Sequence, residues 1–212
     1  MRVKLVTYTK GAEEVCMAAA SMCTGSKNGE RSLKQSLKSG HESVIEHAVF
    51  TFEINGLSRV ALAQLTRHRI ASFSVRSQRY VKLSNPELVL PESILASRYA
   101  AETQSTMRYC INLYERMVEN GVPKEDARYV MPQAVATDLF LTMNARELRH
   151  FFSLRCCNRA QWEIRILADE MLKLCKQAAP ELFMDAGPGC IKDNCLEQRP
   201  CGSPKRKDDR ND

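Results

Sequence analysis

The residues best suited to chemistry lie in the basic segment 67–80. This segment contains four arginines and three serines and no carboxylate. Arg67 and Arg69 flank His68, and like charges this close repel each other unless an anion lies between them. A guanidinium binds phosphate or carboxylate groups through parallel N–H donors. The composition therefore fits a phosphate-binding surface, and it fits a solvated basic loop equally well.

A helix predicted over 58–66 precedes this segment. If it continued for two more residues, Gln64, Arg67 and His68 would share one face, because they stand at i, i+3 and i+4. A histidine taken alone is more often structural than functional, and this applies to all four in the chain: His41, His47, His68 and His150. No two of them have the helical spacing of a zinc site, so we expect no catalytic metal.

A second signal is Arg155, within a helix predicted from Asn144 to about residue 179. On a helical wheel it lies on the apolar stripe, within about 60° of three residues: Leu148, Phe151 and Phe152. A guanidinium there needs an anion or another acceptor, because an unpaired buried charge is costly. The partner is either a bound ligand or, in a structural role, Glu147 or Glu163.

The N-terminus of that helix is also suited to anions. Asn144 is a favourable N-cap, and Glu147 three residues later completes a capping-box pattern. Arg146 and His150 stand four residues apart in the first turns, where exposed amides and the helix dipole favour negative charge. Arg128, in contrast, resembles an ordinary surface arginine with charged neighbours.

Hydrophobic periodicity, together with glycine, proline and capping residues, predicts the helices and strands that must position these side chains. Strands are expected at 2–8, at 47–54 with Gly56 as its end, and at 135–143, with a loop or strand through 83. Helices are expected at 12–22, 31–39, 58–66 and 93–120, then a short one from Pro123 to near Pro132, then 144–179. The fold class is α+β, with helices packed on a modest, mainly antiparallel sheet. We expect one domain over 1–185 and an extension over 186–212.

Composition narrows the class of protein. The 212 residues, 44% hydrophobic and 26% charged, fit a globular chain without an apolar run of membrane length. The start lacks a signal peptide's apolar core, and nine cysteines without such a signal suggest reduced thiols, so we expect the cytoplasm. The net charge of +6 includes a cluster in the tail, Lys205, Arg206 and Lys207, without interleaved aromatic residues. We therefore expect no nucleic-acid partner and no membrane.

The extension carries three cysteines, Cys190, Cys195 and Cys201, among glycines and prolines. Turns there could bring three thiolates to one structural metal. Zinc usually takes four ligands with a closely spaced cysteine pair, and the spacing here is looser. Free thiols are the interpretation that the sequence favours, with a structural zinc as the alternative.

Five blocks of the chain resemble the flavin-dependent thymidylate synthases, in that family's order. The first signature is Arg67-His68-Arg69 followed after seven residues by Ser77 and then Arg79. The others are 40–47 (GHESVIEH), 122–128 (VPKEDAR), 144–146 (NAR), and 154–155 (LR) with 160–164 (AQWEI). The resemblance covers about residues 1–185.

This resemblance implies a family-specific α+β fold and a homotetramer with active sites at subunit interfaces. The positions that match dUMP-binding residues are Gln64, Leu65, Thr66, Arg67, Val75, Arg76, Ser77, Gln78, Arg79, Arg128 and Arg155. Those that match FAD-binding residues are His41, Ser43, Arg67, His68, Arg69, Val75, Asn144, Ala145, Arg146 and His150. The family often has Asn at Ser74 and Glu at Val75, so only backbone contacts are expected of Val75.

The implied activity is reductive methylation of dUMP to dTMP through FAD. The co-substrates are 5,10-methylenetetrahydrofolate and NADPH, and tetrahydrofolate is released. Arg155 would stabilise the ionised uracil ring, while Arg79 and Arg128 would hold the phosphate. No enzyme nucleophile is expected, although Cys156 and Cys157 follow Arg155 directly.

Two alternatives accompany this interpretation. One is a homologue that binds flavin and nucleotide without turnover, which the Val75 departure keeps open. The other is an RNA-methylating enzyme that uses folate and flavin. The second is disfavoured because the sequence contains no Gly-x-Gly-x-x-Gly fingerprint.

Overall fold

The computed structural model describes residues 1–195 and 197–205. Its four strands are β1 (Arg2–Tyr8), β2 (Val49–Ser58), β3 (Ala71–Val75) and β4 (Ala136–Asn144). They form one antiparallel sheet in the order β1-β2-β4-β3. The α+β class expected from the sequence is confirmed.

The helices alternate with these strands along the chain. They are α1 (Ala12–Thr24), α2 (Gly29–Lys38), α3 (Arg59–Leu65), α4 (Glu92–Leu95), α5 (Ala100–Glu119), α6 (Lys124–Ala127), α7 (Ala145–Arg155), α8 (Trp162–Ala178) and α9 (Pro180–Phe183). Single 3₁₀ turns occur at Glu42–Ile45, Arg128–Val130 and Gly189–Lys192. Within the described residues, no helix is long and apolar enough to cross a membrane.

The chain divides into two compact units. The first unit comprises 1–2, 54–64 and 74–139, and the second comprises 3–53, 65–73 and the described residues from 140 onward. The boundary expected at residue 185 stays a prediction.

The core of the first unit forms around α5 and the strand segment that follows α6. Tyr114, Ala127 and Val135 are fully buried there, and Leu83 is 7% exposed. The buried Tyr114 hydroxyl accepts a hydrogen bond from the backbone N–H of Leu83 at 3.3 Å. This bond satisfies the one polar atom that the aromatic side chain brings into the core.

The core of the second unit is aromatic. Phe50 on β2 stacks on Tyr8 and meets Phe183 of α9 edge to face, with ring centroids 5.3 Å apart in the latter pair. Phe152 of α7 also contacts Phe183. The alternation in β2 thus buries one face against helices, as the period-two pattern predicts.

Three predicted elements differ from the structure by more than two residues. Gly56 does not end β2, because its φ of +78° suits glycine and its N–H donates to the Asp138 carboxylate at 3.1 Å.

The helix expected over 93–120 is two helices, and Ser97 lies between them. Its hydroxyl accepts from the N–H of Tyr99 and bonds the carbonyl of Ile94, competing with helical bonds.

The helix expected over 144–179 is also two helices. The first, α7, ends at Arg155, and α8 begins at Trp162 with Gln161 as its N-cap. The Gln161 side chain accepts from the N–H groups of Glu163 and Ile164, at 3.0 and 3.1 Å. A side chain that satisfies two free amides stabilises a new start at this position.

The beginning of the extension is ordered in the second unit. Ala186 and Ile191 are buried, and the 3₁₀ turn Gly189–Lys192 lies between Gly187 and the rest of the tail. A Cβ on Gly187 would lie 2.4 Å from Cδ1 of Ile191, so glycine permits this packing. Residues 186–192 of the expected extension thus contain buried side chains and a 3₁₀ turn, and the division between domain and extension stays a prediction. Arg206 and Lys207 lie outside the described residues.

Candidate functional site

His68 is the buried polar residue around which the second unit's candidate residues collect. Helix α3 ends at Leu65, and the N–H of His68 donates to the carbonyl of Leu65 at 3.1 Å. Only 5% of His68 is exposed, whereas Arg67 and Arg69 on either side are exposed. The condition under which Gln64, Arg67 and His68 would share one helical face is therefore not met, because Gln64 lies within α3 whereas Arg67 and His68 lie beyond its end.

Two hydrogen bonds hold the imidazole of His68. Its Nδ1 lies 3.0 Å from Oε1 of Glu147, and its Nε2 accepts from Nε of Arg155 at 3.2 Å. The rings of Phe151 and His150 contact it edge-on, with centroids 5.0 and 5.9 Å away. Arg155 thus has a neutral acceptor and does not pair with Glu147, which is bound to His68.

Burial sets the protonation of this cluster. It lowers the pKa of His68, and the positive charge of Arg155 lowers it further, although the hydrogen bond to Glu147 acts in the opposite direction. Burial also lowers the pKa of Arg155. His68 is therefore neutral at pH 7, while arginine keeps its charge.

Helix α7 supplies Glu147, His150 and Arg155 to this cluster. Asn144 caps it, since its side chain accepts from the N–H of Glu147 at 2.9 Å, as predicted. In a complete capping box the carboxylate of Glu147 would in turn accept from the backbone N–H of Asn144. Here that carboxylate pairs with His68 instead. About two turns of helix thus fix the spacing between Glu147 and Arg155.

The other residues that match FAD positions in the second unit differ in exposure. His41, Ser43, Arg146 and His150 are exposed, and Arg146 forms an ion pair with Glu46. Ala145 is fully buried and its N–H donates to the carbonyl of Ala48. Its side chain therefore presents no surface to a ligand. Leu65, which matches a dUMP position, is also fully buried, and Thr66 is exposed.

The candidate residues of the first unit are largely exposed and carry ion pairs. Arg76 pairs with Asp138 at 3.0 Å, and Arg79 pairs with Glu125. Arg128 donates from Nε to the backbone carbonyl of Glu125 at 3.0 Å. Two of the four arginines in 67–80 thus find carboxylates elsewhere in the chain.

The remaining first-unit candidates are uncharged. Ser77 accepts from the N–H of Arg79 through its hydroxyl at 3.1 Å, which forms a local turn. Gln64, Val75 and Gln78 are half-buried. Since Val75 has no polar side chain, the expectation that only its backbone contacts a polar ligand stays a prediction.

Two residues of functional interest escaped the sequence analysis, Arg59 and Glu147. The Nε of Arg59 is buried without a hydrogen-bond partner among the described residues, while its Nη2 donates to the carbonyl of Arg76. Burial lowers its pKa, and the charge of Arg128 lowers it further. Arg59 gives no local signal, and Glu147 was considered only as a cap and as a salt-bridge partner.

The three cysteines of the extension are not brought together as ligands. Cys190 is partly buried, and Cys195 and Cys201 are exposed free thiols. Across 1–195 and 197–205, no three His, Cys, Asp or Glu side chains are grouped to hold a metal. The described geometry therefore gives the structural-zinc alternative no support.

Known proteins match nearly the whole chain. The family model for thymidylate synthase complementing protein matches residues 4–181. The flavin-dependent thymidylate synthase of Geobacter sulfurreducens is 46% identical over 93% of this chain and 91% of that relative. Those of Sulfolobus acidocaldarius and Pyrococcus furiosus are 41% and 45% identical, over 94% and 82% of this chain and 82% and 78% of their own lengths. On this evidence the chain belongs to the family of flavin-dependent thymidylate synthases.

Proposed function

We propose that the protein converts dUMP to dTMP by reductive methylation, with 5,10-methylenetetrahydrofolate, NADPH and bound FAD. The folate methylene would be joined to C5 of the uracil with loss of the C5 proton, and NADPH would supply, through the flavin, the hydride that reduces it to a methyl group. With net uptake of one proton, the products are dTMP, tetrahydrofolate and NADP⁺. The observation that carries the proposal is Arg155, a partly buried guanidinium held through Nε by His68. Its terminal N–H groups are suited to an anionic ring that approaches it.

The residues of the second unit fit FAD by charge. Arg67 and Arg69 are exposed and form no ion pair with any described residue, so their guanidiniums suit the two negative charges of a diphosphate. Asn144, Arg146 and His150 lie at the first turns of α7, where the helix dipole adds to the attraction. His41 and Ser43 complete the set of exposed polar groups. When bound, the flavin supplies the redox chemistry that the amino acids cannot.

Arg155 is the residue we assign to catalysis. Its charge would stabilise the negative charge that develops on the uracil ring, which makes C5 a better nucleophile. Partial burial strengthens this interaction because the local dielectric is lower than that of water.

The exposed arginines of the first unit are assigned to the nucleotide's phosphate. Arg79 and Arg128 would bind it directly, and Gln64, Arg76, Ser77 and Gln78 would bind the rest of dUMP with the backbone of Val75. In the second unit, Leu65, Thr66 and Arg67 match further dUMP positions. The family's homotetramer, with active sites at subunit interfaces, is part of the proposal, and so is a cytoplasmic location.

Component omission tests the proposal. Purified protein with FAD, NADPH, methylenetetrahydrofolate and C5-tritiated dUMP should form dTMP and release tritium, and omission of any one component should stop dTMP formation. Tetrahydrofolate should be the folate product, and dihydrofolate as the sole folate product would refute the mechanism. A homologue without turnover would instead bind FAD and dUMP, seen by absorbance, and form no dTMP.

A further inference from the structure

We propose that Glu147 is a positioning residue that keeps the ring proton of His68 on Nδ1, so that Nε2 remains the acceptor that holds Arg155. Neither the family match nor the capping pattern assigns this role. The last step, from a held Arg155 to a fast reaction, rests on the proposed function. The proton position itself does not.

The inference starts from the donors available to each group. A guanidinium has five N–H donors and no acceptor, so the 3.2 Å contact between Arg155 Nε and His68 Nε2 requires a lone pair on Nε2. A neutral imidazole with a lone pair on Nε2 carries its proton on Nδ1. That proton then points at Oε1 of Glu147, 3.0 Å away.

Burial makes this arrangement selective. The side chains of His68 and Glu147 are 4% and 8% exposed, so water is poorly placed to replace either partner. The opposite tautomer would set the Nε2–H of His68 against the Nε–H of Arg155 and leave Nδ1 and the carboxylate as two facing acceptors. Each unmet buried group carries a desolvation penalty. The Glu147 carboxylate therefore keeps the proton on Nδ1 of His68. As a result, Nε2 on the opposite side of the ring remains an acceptor for Arg155.

The groups that face the imidazole are consistent with a neutral ring. Glu147 and Arg155 carry opposite charges on its two sides, His150 lies beside it, and Phe151 closes one edge. Burial lowers the pKa of His68 below its ordinary value, and the Glu147 hydrogen bond raises it in opposition. Protonation at low pH would place a proton on Nε2 and remove the acceptor for Arg155.

The consequence for Arg155 is a fixed orientation. With Nε engaged, the orientation of the guanidinium is restricted, and its terminal amino groups remain as donors for a bound anion. In metal sites, removal of the hydrogen-bond partner of a ligating histidine typically lowers activity about tenfold to a hundredfold, and we expect an effect of similar size here. Substitution of Glu147 should therefore lower kcat more than it changes KM for dUMP.

The direct test is the ¹⁵N spectrum of the FAD-bound protein with labelled histidine, in which only four residues contribute. Comparison with a His68→Gln variant assigns the His68 signals. At pH 8 we expect a protonated Nδ1 and an unprotonated Nε2. In Glu147→Ala the Nδ1–H tautomer should lose its preference, whereas Glu147→Gln, which keeps an acceptor oxygen, should retain it. A protonated Nε2 in the unaltered protein would overturn the proposal, and this measurement does not require turnover.

The kinetic test separates positioning from stability. Glu147→Ala should lower kcat at least about tenfold, and Glu147→Gln should restore most of it, since outer-shell effects are of that size. The acid limb of the kcat profile should lie below about pH 6.5, the ordinary histidine value. It should move lower in Glu147→Gln, because the carboxylate that raises the pKa of His68 is gone. Unchanged kcat and an unmoved limb in both variants would overturn the role in catalysis.

A matched control is Asp185→Asn, which alters another carboxylate that pairs with α7 through Arg149 and does not touch His68. It should leave the His68 spectrum and the acid limb unchanged. If the unaltered protein forms no dTMP, the proposed function fails while the spectrum still decides the tautomer. If dTMP forms but the tautomer is wrong, only the positioning proposal fails.

Discussion

The polar residues around His68 in the second unit and the arginines of the first unit differ in how they are held. The side chains of Glu147 and His68 are nearly inaccessible to solvent. Nδ1 of His68 is hydrogen-bonded to Glu147, and its Nε2 accepts from Arg155. Arg76 and Arg79 are more than half exposed and pair with carboxylates across solvent-accessible surface. Exposed pairs contribute little net free energy, so an arriving anion can displace them. Separation of a buried pair costs more free energy, because it leaves a buried charge without a partner.

This difference suggests a division of labour under the proposed function. Exposed guanidiniums that exchange partners easily are suited to binding a phosphate and releasing it after each turnover. A guanidinium fixed by a buried imidazole is suited to a step whose geometry must not vary. The following variants are chosen to separate binding, chemistry and stability in these two regions.

The largest expected effect is on stability, from Arg149→Met in the second unit. Arg149 is 5% exposed and bonds Glu42, Asp185 and the carbonyl of Leu182. Removal of one partner from a buried ion pair costs about 3–5 kcal/mol, because the remaining groups stay unpaired. Urea denaturation measures it. The exposed Arg31→Met is the control and should change the free energy of unfolding by less than about 0.5 kcal/mol.

The next effect is on chemistry, from Arg155→Ala. Loss of a charge-assisted contact to a developing anion should slow turnover a hundredfold or more, about 3 kcal/mol. FAD absorbance and the unfolding midpoint should stay close to those of the unaltered protein. Steady-state dTMP formation measures it, and a rate within about threefold of the parent would make Arg155 structural.

A smaller effect is expected on binding, from Arg79→Ala in the first unit. A hydrogen bond to a charged group contributes about 1.5–3 kcal/mol, so the Kd for dUMP should rise by one to two orders of magnitude. Lys82→Ala is the matched control, because Lys82 is another exposed cation of this unit and pairs with Glu119. Equal losses in both variants would indicate a diffuse charge effect in place of a specific contact.

Asp185 should give a modest pH dependence of stability. Its carboxyl is partly buried, yet Arg149 and Lys192 lower its pKa from 3.8 to about 2. A depressed pKa contributes stability that is present above about pH 4 and is lost as the pH falls toward 2. Since the pair is partly exposed, Asp185→Asn should remove about 1 kcal/mol of that pH-dependent stability. Denaturation at pH 7 and pH 2.5 measures the difference.

The smallest effect is expected from Cys156→Ser with Cys157→Ser. Cys156 is buried, and burial raises the pKa of its thiol well above the ordinary range, so a thiolate nucleophile is disfavoured. Turnover should stay within about threefold of the parent. Mass spectrometry of a reaction mixture should reveal no dUMP adduct at either residue, and detection of one would contradict the proposed mechanism.

Much of the local structure follows from the sequence. The alternation around Phe50 and Phe52 predicts β2, and Asn144 predicts the start of α7. The breaks at Ser97 and Gln161 escaped prediction because each depends on a side chain that bonds the backbone in place of a helical partner. The apolar period continues across both breaks.

The candidate site is only partly predictable from residue types. Arg155 stands out as a cation on an apolar stripe, whereas its acceptor is 87 positions away in the sequence. Glu147 and His68 are likewise 79 positions apart, and no local pattern encodes such a pairing. The roles of Arg79 and Arg128 rest on the family resemblance, since their composition is that of any basic surface.

The most direct test of the account is the single-turnover rate of dTMP formation at saturating dUMP, compared between Arg155→Ala and Arg79→Ala with FAD bound. If Arg155 acts on the uracil ring and Arg79 only holds the phosphate, the first variant should be slowed a hundredfold or more. The second should react within about threefold of the parent once dUMP is saturating. A normal rate in Arg155→Ala, or an equal loss in both variants, would contradict this assignment of chemistry to the second unit and binding to the first.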